Sequence, residues 1–344
     1  MIVARQAGAR NSTVKQLGVG LIGCGGMGRS LAKQLVTIES ARLVGVTDVN
    51  PEAAAGAAQE FGTQAIQSTE ELLAQDGLDA VVIASPGFQH RPLTELAAAS
   101  GKHVFVEKPM ATNVPDCDAM AAAAERAGIT LMVGQVLRYY PTWWKILELV
   151  RAGEIGTPWA VTLTRISGGW GGWAQPWRNS LELSGGLLME VNAHEIDFMC
   201  QLCGDVERVY AEADKYGEDA ADYPNLYFVS LRFKNGAVGM LHSSSVSAVS
   251  DLSGKVQGSE GSLVYTNGFG SGGEIRYARI GEEAKVLPIN EIEVEPPVRK
   301  ELRLFVEAVQ KGEPAPIPAS EGRRNVQIAM AAYESARTGQ AVKL

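Results

Sequence analysis

The sequence predicts an α/β protein whose first half is a doubly wound parallel sheet and whose second half is richer in antiparallel strands. Three observations carry this. Short, uninterrupted apolar runs alternate with helical patterns from Leu17 to Val133, as strands buried on both faces do. A glycine-rich turn, Gly23 to Gly28, follows the first of those runs directly. From Val206 to about Leu287 the pattern changes to β-like runs joined by close turns, such as Lys234-Asn235-Gly236 and Thr266-Asn267-Gly268, which imply antiparallel pairing.

Taken in order, Leu17–Ile22 reads as a buried strand, and a helix runs from the glycine turn to about Ile38. Arg42–Thr47 is the second strand and ends at Asp48. Pro51 opens an alanine-rich helix, at a position where a missing N–H costs nothing. Asp79–Ser85 is the most continuous buried strand and stops at Pro86. Arg91–Ser100 is helical, His103–Val106 a strand, Pro115–Gly128 helical and Ile129–Val133 a strand. Beyond the junction, Pro141–Arg151 is a helix and Trp159–Ile166 alternates like a half-buried strand. A loop rich in Trp and Gly spans Gly168 to Trp177, and Leu188–Cys203 reads as one helix. Two helices, near Val298–Lys311 and Ser320–Arg337, finish the chain.

A length of 344 residues points to two domains, with boundaries expected at 17–137 and 138–344 after a flexible tail, 1–16. The tail carries Arg5, Arg10 and Lys15 but no acid and no apolar core of a secretory signal. Lys and Arg total 31 against 39 Asp and Glu, a net charge of −8, which argues against a nucleic-acid partner. The longest apolar runs are too short to span a bilayer, so no membrane partner is expected. The four cysteines, Cys24, Cys117, Cys200 and Cys203, fit a reducing compartment, and a cytoplasmic location is expected. Cys200 and Cys203 lie within one helix without a second pair, which suits core packing; no metal site is expected.

Gly23-Cys24-Gly25-Gly26-Met27-Gly28 sits between a strand and a helix, where a dinucleotide-binding Rossmann fingerprint belongs. Gly23 permits the tight turn, Gly25 lets backbone approach a pyrophosphate, and Gly28 allows close helix–strand packing. Gly26 and Met27 open the helix whose N-terminal N–H groups favour phosphates. Asp48, twenty residues past Gly28, is placed to accept from a ribose 2′-OH. Its carboxylate favours NAD, with NADP the alternative if Arg29 or Arg42 reaches a 2′-phosphate.

Glu107-Lys108-Pro109 follows a strand, beyond whose carboxyl end ligands bind in such sheets. A lysine there can orient a substrate oxygen and stabilise charge on it. Glu190, His194 and Asp197 are spaced i, i+4, i+7 and so share a face of the expected helix, where a histidine can cycle a proton. Taken alone, a loop lysine is most often a surface group, and such a histidine an ion-pair partner.

Together, in order and spacing, these motifs resemble the Gfo/Idh/MocA family (glucose–fructose oxidoreductase, inositol dehydrogenase, rhizopine catabolism). The matching stretches are GCGGMG, Asp48, ASPGFQH at 84–90, EKP at 107–109, GG…E…H..D at 185–197 and AAYESARTG at 331–339. The resemblance implies a C-terminal α/β domain with a large, open, predominantly antiparallel sheet that commonly joins dimers or tetramers. It implies NAD or NADP bound along Gly23–Gly28, Asp48, Ser85, Pro86, His90, Glu107 and Lys108, and a sugar, cyclitol or related polyol as substrate. Lys108 matches the lysine by the nicotinamide and His194 the proton-transfer group. Glu190 stands where many members have Asp, and Asn192 where they have Gly. Catalytic roles are therefore expected of Lys108, His194 and Glu190. Substrate contacts are expected of the same residues and of Asn192, Trp177 and Arg178. Trp170 and Trp173 share the loop with Trp177, where flat rings suit sugar faces or a packed interface equally. Some relatives oxidise a sugar only transiently to drive elimination or glycoside cleavage, and one is a cofactor-binding regulator.

Overall fold

The computed structural model describes residues 16–168, 175–217, 220–269 and 272–344. The tail before Gln16 and the loop tryptophans Trp170 and Trp173 lie outside these residues.

The first layer system alternates strand and helix as the apolar runs predict. Its elements are β1 (Leu17–Ile22), α1 (Gly26–Leu35), β2 (Ala41–Thr47), α2 (Pro51–Phe61), α3 (Thr69–Leu73), β3 (Ala80–Ile83), α4 (His90–Ala99), β4 (His103–Val106), α5 (Val114–Ala127) and β5 (Leu131–Val133). All five strands are parallel, in the order β2-β1-β3-β4-β5. β1 and β3 are buried at every position, which is why they read as unbroken apolar runs. Asn50, Ser68 and Asn113 cap α2, α3 and α5 with their side chains, and Gly62 and Gly128 end α2 and α5 in the left-handed conformation.

The chain then forms α6 (Pro141–Arg151), β6 (Pro158–Gly168), α7 (Leu181–Ser184), α8 (Gly186–Glu190) and α9 (Ala193–Cys203). Next come β7 (Val206–Asp214), β8 (Leu226–Phe233), β9 (Val238–Ser244), β10 (Val246–Gly258), β11 (Gly261–Tyr265), β12 (Glu274–Arg279) and β13 (Lys285–Pro288). α10 (Pro297–Lys311), α11 (Ala319–Thr338) and β14 (Val342–Lys343) finish it. The second sheet runs β13-β12-β11-β10-β6-β9-β8-β7-β14. Its pairs are antiparallel except β6 with β9, whose connection passes through three helices and two strands. One face buries Tyr227, Leu231, Leu241, Val161, Val256 and Leu263, and the opposite face exposes Phe228, Met240, Val264 and Val286.

The last two long helices reach back to the first sheet: α10 packs on it, and α11 bridges both, with Ser335 accepting from the Ala211 N–H of β7 and Arg323 pairing with Asp118 of α5. Phe305 of α10 meets Phe105 of β4 edge-on, with ring centroids 5.8 Å apart. Ile317 accepts from the Val133 N–H at 3.1 Å, and Pro318 bridges Met132 on the outer edge of the parallel sheet. The stretch 188–203 is two helices rather than the single one its pattern suggests. Val191 ends the first, and Asn192 precedes the second as its N-cap residue, with its side-chain amide bonded to Ser243 and Glu195 rather than to the helix's free N–H groups.

Candidate active site

At the end of β1 the chain turns at Gly23 with a φ of +97°. A Cβ there would lie 2.8 Å from the Ala84 carbonyl carbon, and one on Gly28 would lie 1.9 Å from the Gly23 carbonyl oxygen. Gly25 and Gly26 obey a different constraint, for a Cβ on either meets nothing within 4 Å. No side chain caps α1, so its first N–H groups, on Gly26, Met27 and Gly28, face the open side of the turn. Asp48 at the end of β2 is anchored: its Oδ2 accepts from the Cys24 N–H at 2.6 Å and its Oδ1 from the Asn50 N–H at 2.8 Å. Ser85, across the turn, has a buried hydroxyl with no hydrogen-bond partner among the described residues. An open glycine cradle, an uncapped helix start, an anchored carboxylate and an unpartnered hydroxyl fit a dinucleotide.

Both nearby arginines are engaged, and Arg29 also donates to the carbonyl of Cys24, the residue whose N–H bonds Asp48. Arg29 pairs with Glu60 at 2.5 Å, and Arg42 donates to the Gly77 carbonyl at 2.8 Å. Pro86 opens the short helical turn at Gly87–Gln89 that leads to His90. His90 is buried and contacts backbone only: Nδ1 lies 2.8 Å from the Pro109 carbonyl and Nε2 2.8 Å from that of Ser85. Burial, and then the Lys108 charge, push its pKa down against those carbonyls, so the ring staples two loops rather than presenting a nitrogen to a ligand.

The stapled loop carries Glu107 and Lys108, with the Lys108–Pro109 peptide cis. Lys108 Nζ donates to the Glu190 main-chain carbonyl at 2.6 Å, which ties the parallel-sheet side to the end of α8. Glu107 is buried and its Oε2 accepts from the Lys108 N–H at 3.0 Å. Burial pushes its carboxyl up to about 7, against the pull of Lys108. Behind it, Glu301 of α10 is fully buried and accepts from the Gln135 N–H. Burial and the neighbouring Glu107 hold Glu301 well above the usual carboxylate range.

His194 stands at the second position of α9, half-buried, with Nδ1 3.0 Å from Gln135 Oε1. Burial, then the charges of Lys108 and Arg165, hold its pKa well below the ordinary histidine range. The positive end of α9 acts in the same direction. The ring is therefore neutral at pH 7 and able to accept a proton.

One expectation needs correction. His194 does not share a helix face with two carboxylates, because the break at Asn192 separates it from Glu190, and Asp197 turns away to a bidentate pair with Arg138. Glu190 faces Arg178, with Oε2 3.4 Å from Nε, and meets Lys108 only through its backbone. Asn192 is fully buried, with its amide bonded to Ser243 at 2.6 Å and Glu195 at 3.1 Å. Trp177 is half-buried, its ring 6.5 Å from that of Phe88 and 4.9 Å from the Arg178 guanidinium carbon. Gln135, Arg165 and Glu301 escaped the sequence reading. Only Gln135 carried a signal, as a polar residue just past the carboxyl end of β5, where ligands bind in such sheets. Among the described residues no cluster of His, Cys, Asp or Glu could hold a metal ion, and no helix is long and apolar enough to cross a membrane.

Known proteins bear on this arrangement. Residues 17–135 match the NAD-binding Rossmann fold of the GFO_IDH_MocA oxidoreductase family, and residues 147–344 match that family's C-terminal alpha/beta domain. Over 333 residues the chain is 27% identical to myo-inositol 2-dehydrogenase of Thermotoga maritima, covering 95% of this chain and 98% of that protein. It is 27% identical to scyllo-inositol 2-dehydrogenase (NAD⁺) of Bacillus subtilis, over 96% of both chains. The crystal structure of aldose-aldose oxidoreductase from Caulobacter crescentus complexed with glycerol superposes with a TM-score of 0.86 at 26% identity, covering 96% of this chain and all of that one. With both domain models matched in sequence and each matched domain carrying its expected sheet, this chain belongs to the Gfo/Idh/MocA family of NAD-dependent oxidoreductases.

Proposed function

We propose that the protein oxidises a secondary hydroxyl of a sugar, cyclitol or related polyol, or reduces the matching ketone, with NAD as the hydride carrier. One observation carries the reading: Lys108, on the loop after β4, reaches the Glu190 carbonyl at the end of α8, and its charge acts on the ring of His194, 86 positions further along the chain. The inositol and aldose oxidoreductases to which the chain is similar point to the same substrate class.

When bound, the nicotinamide takes up or returns hydride at its C4. The chain supplies the rest. His194, neutral in the free protein, accepts the hydroxyl proton. Lys108 donates to the same oxygen and stabilises the charge that grows there. The Glu190 carbonyl holds the Lys108 ammonium in place, and the Glu190–Arg178 pair borders the substrate side. Trp177 offers a ring face beside it. Gly25 and Gly26 admit the pyrophosphate, and Asp48 accepts from the adenosine ribose, which disfavours the 2′-phosphate of NADP.

The test mixes protein with NAD⁺ or NADP⁺ and a panel of inositols, hexoses, pentoses and anhydrosugars, reading reduced-nicotinamide fluorescence. Reduction of NAD⁺ by at least one ring polyol is expected. His194→Ala is expected to slow turnover about 10²–10⁴-fold while NAD⁺ still binds. Unchanged turnover in that variant, or silence across the whole panel, would reject the reading.

A further inference from the structure

The atom that orients His194 is not a carboxylate. Its three nearest acids by sequence are engaged elsewhere, Glu195 with Arg165 at 2.9 Å, Asp197 with Arg138 and Glu190 with Arg178. Facing the ring from other elements are Lys108, on the loop after β4, and Arg165, on β6, both cations. The group within hydrogen-bond distance of Nδ1 is the Gln135 amide oxygen, at 3.0 Å. Gln135 is itself fixed. It is buried, and its main-chain N–H donates to Glu301, which lies under the site beside Glu107.

An amide oxygen accepts only. It therefore requires a proton on Nδ1 and leaves the lone pair on Nε2. A carboxylate in that place would choose the same tautomer but would also stabilise the imidazolium and raise the histidine's pKa. An amide selects the tautomer without that stabilisation, so the ring stays a neutral acceptor between two cations.

We propose that Gln135 is the positioning residue of the proton-transfer group, holding the His194 proton on Nδ1 so that Nε2 is the basic atom. This rests on the reading of His194 as the acid–base residue. Glu301 acts one step further back, by holding the Gln135 backbone.

The experiment is ¹⁵N NMR of the full-length protein labelled at histidine and saturated with NAD⁺. Four histidines give a spectrum simple enough to assign, and the His194 signals are those lost in His194→Ala. The native ring is expected as the Nδ1–H tautomer, without titration down to pH 6. Gln135→Glu is expected to raise the His194 titration midpoint by about one to three units. Gln135→Met, of similar length and without an acceptor, is expected to give a mixture of both tautomers. An Nε2–H ring in the native protein, or native tautomer and titration in both variants, would overturn the role of Gln135. Neither outcome depends on turnover, so the polyol assay of His194→Ala decides the dehydrogenase reading separately.

Discussion

Gly25 and Gly28 lie three residues apart in one turn and answer to different demands. Gly28 has no room for a methyl group, because the Gly23 carbonyl stands 1.9 Å from where it would go. Gly28→Ala is expected to cost about 1–3 kcal/mol in urea unfolding, as overpacking against backbone does. Gly25 has ordinary extended backbone and open space around its Cα. Gly25→Ala should therefore melt like the native protein and yet bind NAD⁺ more weakly by calorimetry. A drop in melting temperature without loss of affinity would show that the open space serves the fold instead. The same division runs through the site: Asn192 and His90 spend their polar atoms inside the protein, while Ser85 and Lys108 keep theirs at the cleft.

Among the elements, α10 has the most unusual position, since it follows the second sheet in sequence and packs on the first in space. Phe305 is its deepest anchor, 1% exposed against Phe105. Phe305→Ala is expected to cost about 3–5 kcal/mol in chemical unfolding, the scale for emptying a buried aromatic site. A loss below about 1 kcal/mol would mean that α10 rests there without holding the sheet. This contact was illegible in the sequence. The apolar stripe of α10 shows that a face is buried but not against which partner. Much else was legible. β1, β3 and β4 are buried on both faces and punctuated by Gly or Pro, so their runs stand out. α3 has five residues and β14 two, too short for any period to show. Lys108 and His194 could be named as candidates because each sits in a motif. Gln135 could not, because its meaning comes from a ring 59 residues further on.

At the scale of the whole molecule, one broad face of the second sheet is uncovered among the described residues. Phe228 and Met240, each 44% exposed, lie on adjacent strands there, and the Phe228 ring stacks on His242 at 4.2 Å. We propose that this face joins copies of the chain, as the family resemblance implies. Sedimentation of the native protein should give a dimer or tetramer, and Phe228→Glu with Met240→Glu should shift it toward smaller species. A native monomer, or an unmoved oligomer in the double variant, would assign the face another role.

The return of the chain end to the parallel sheet has a consequence for how the protein is made. A ribosome releases β5 long before Ile317 and Pro318, the residues that close its outer edge, and before Phe305, which covers Phe105. At about 5–20 residues per second that edge waits for roughly ten to forty seconds. Throughout that interval the nascent chain carries an unpaired strand edge and a bare aromatic surface, the features that invite pairing with a neighbouring polysome's product. A transcript cut short after β5 should therefore yield inclusion bodies instead of a free nucleotide-binding fragment, as its expression and fractionation would show.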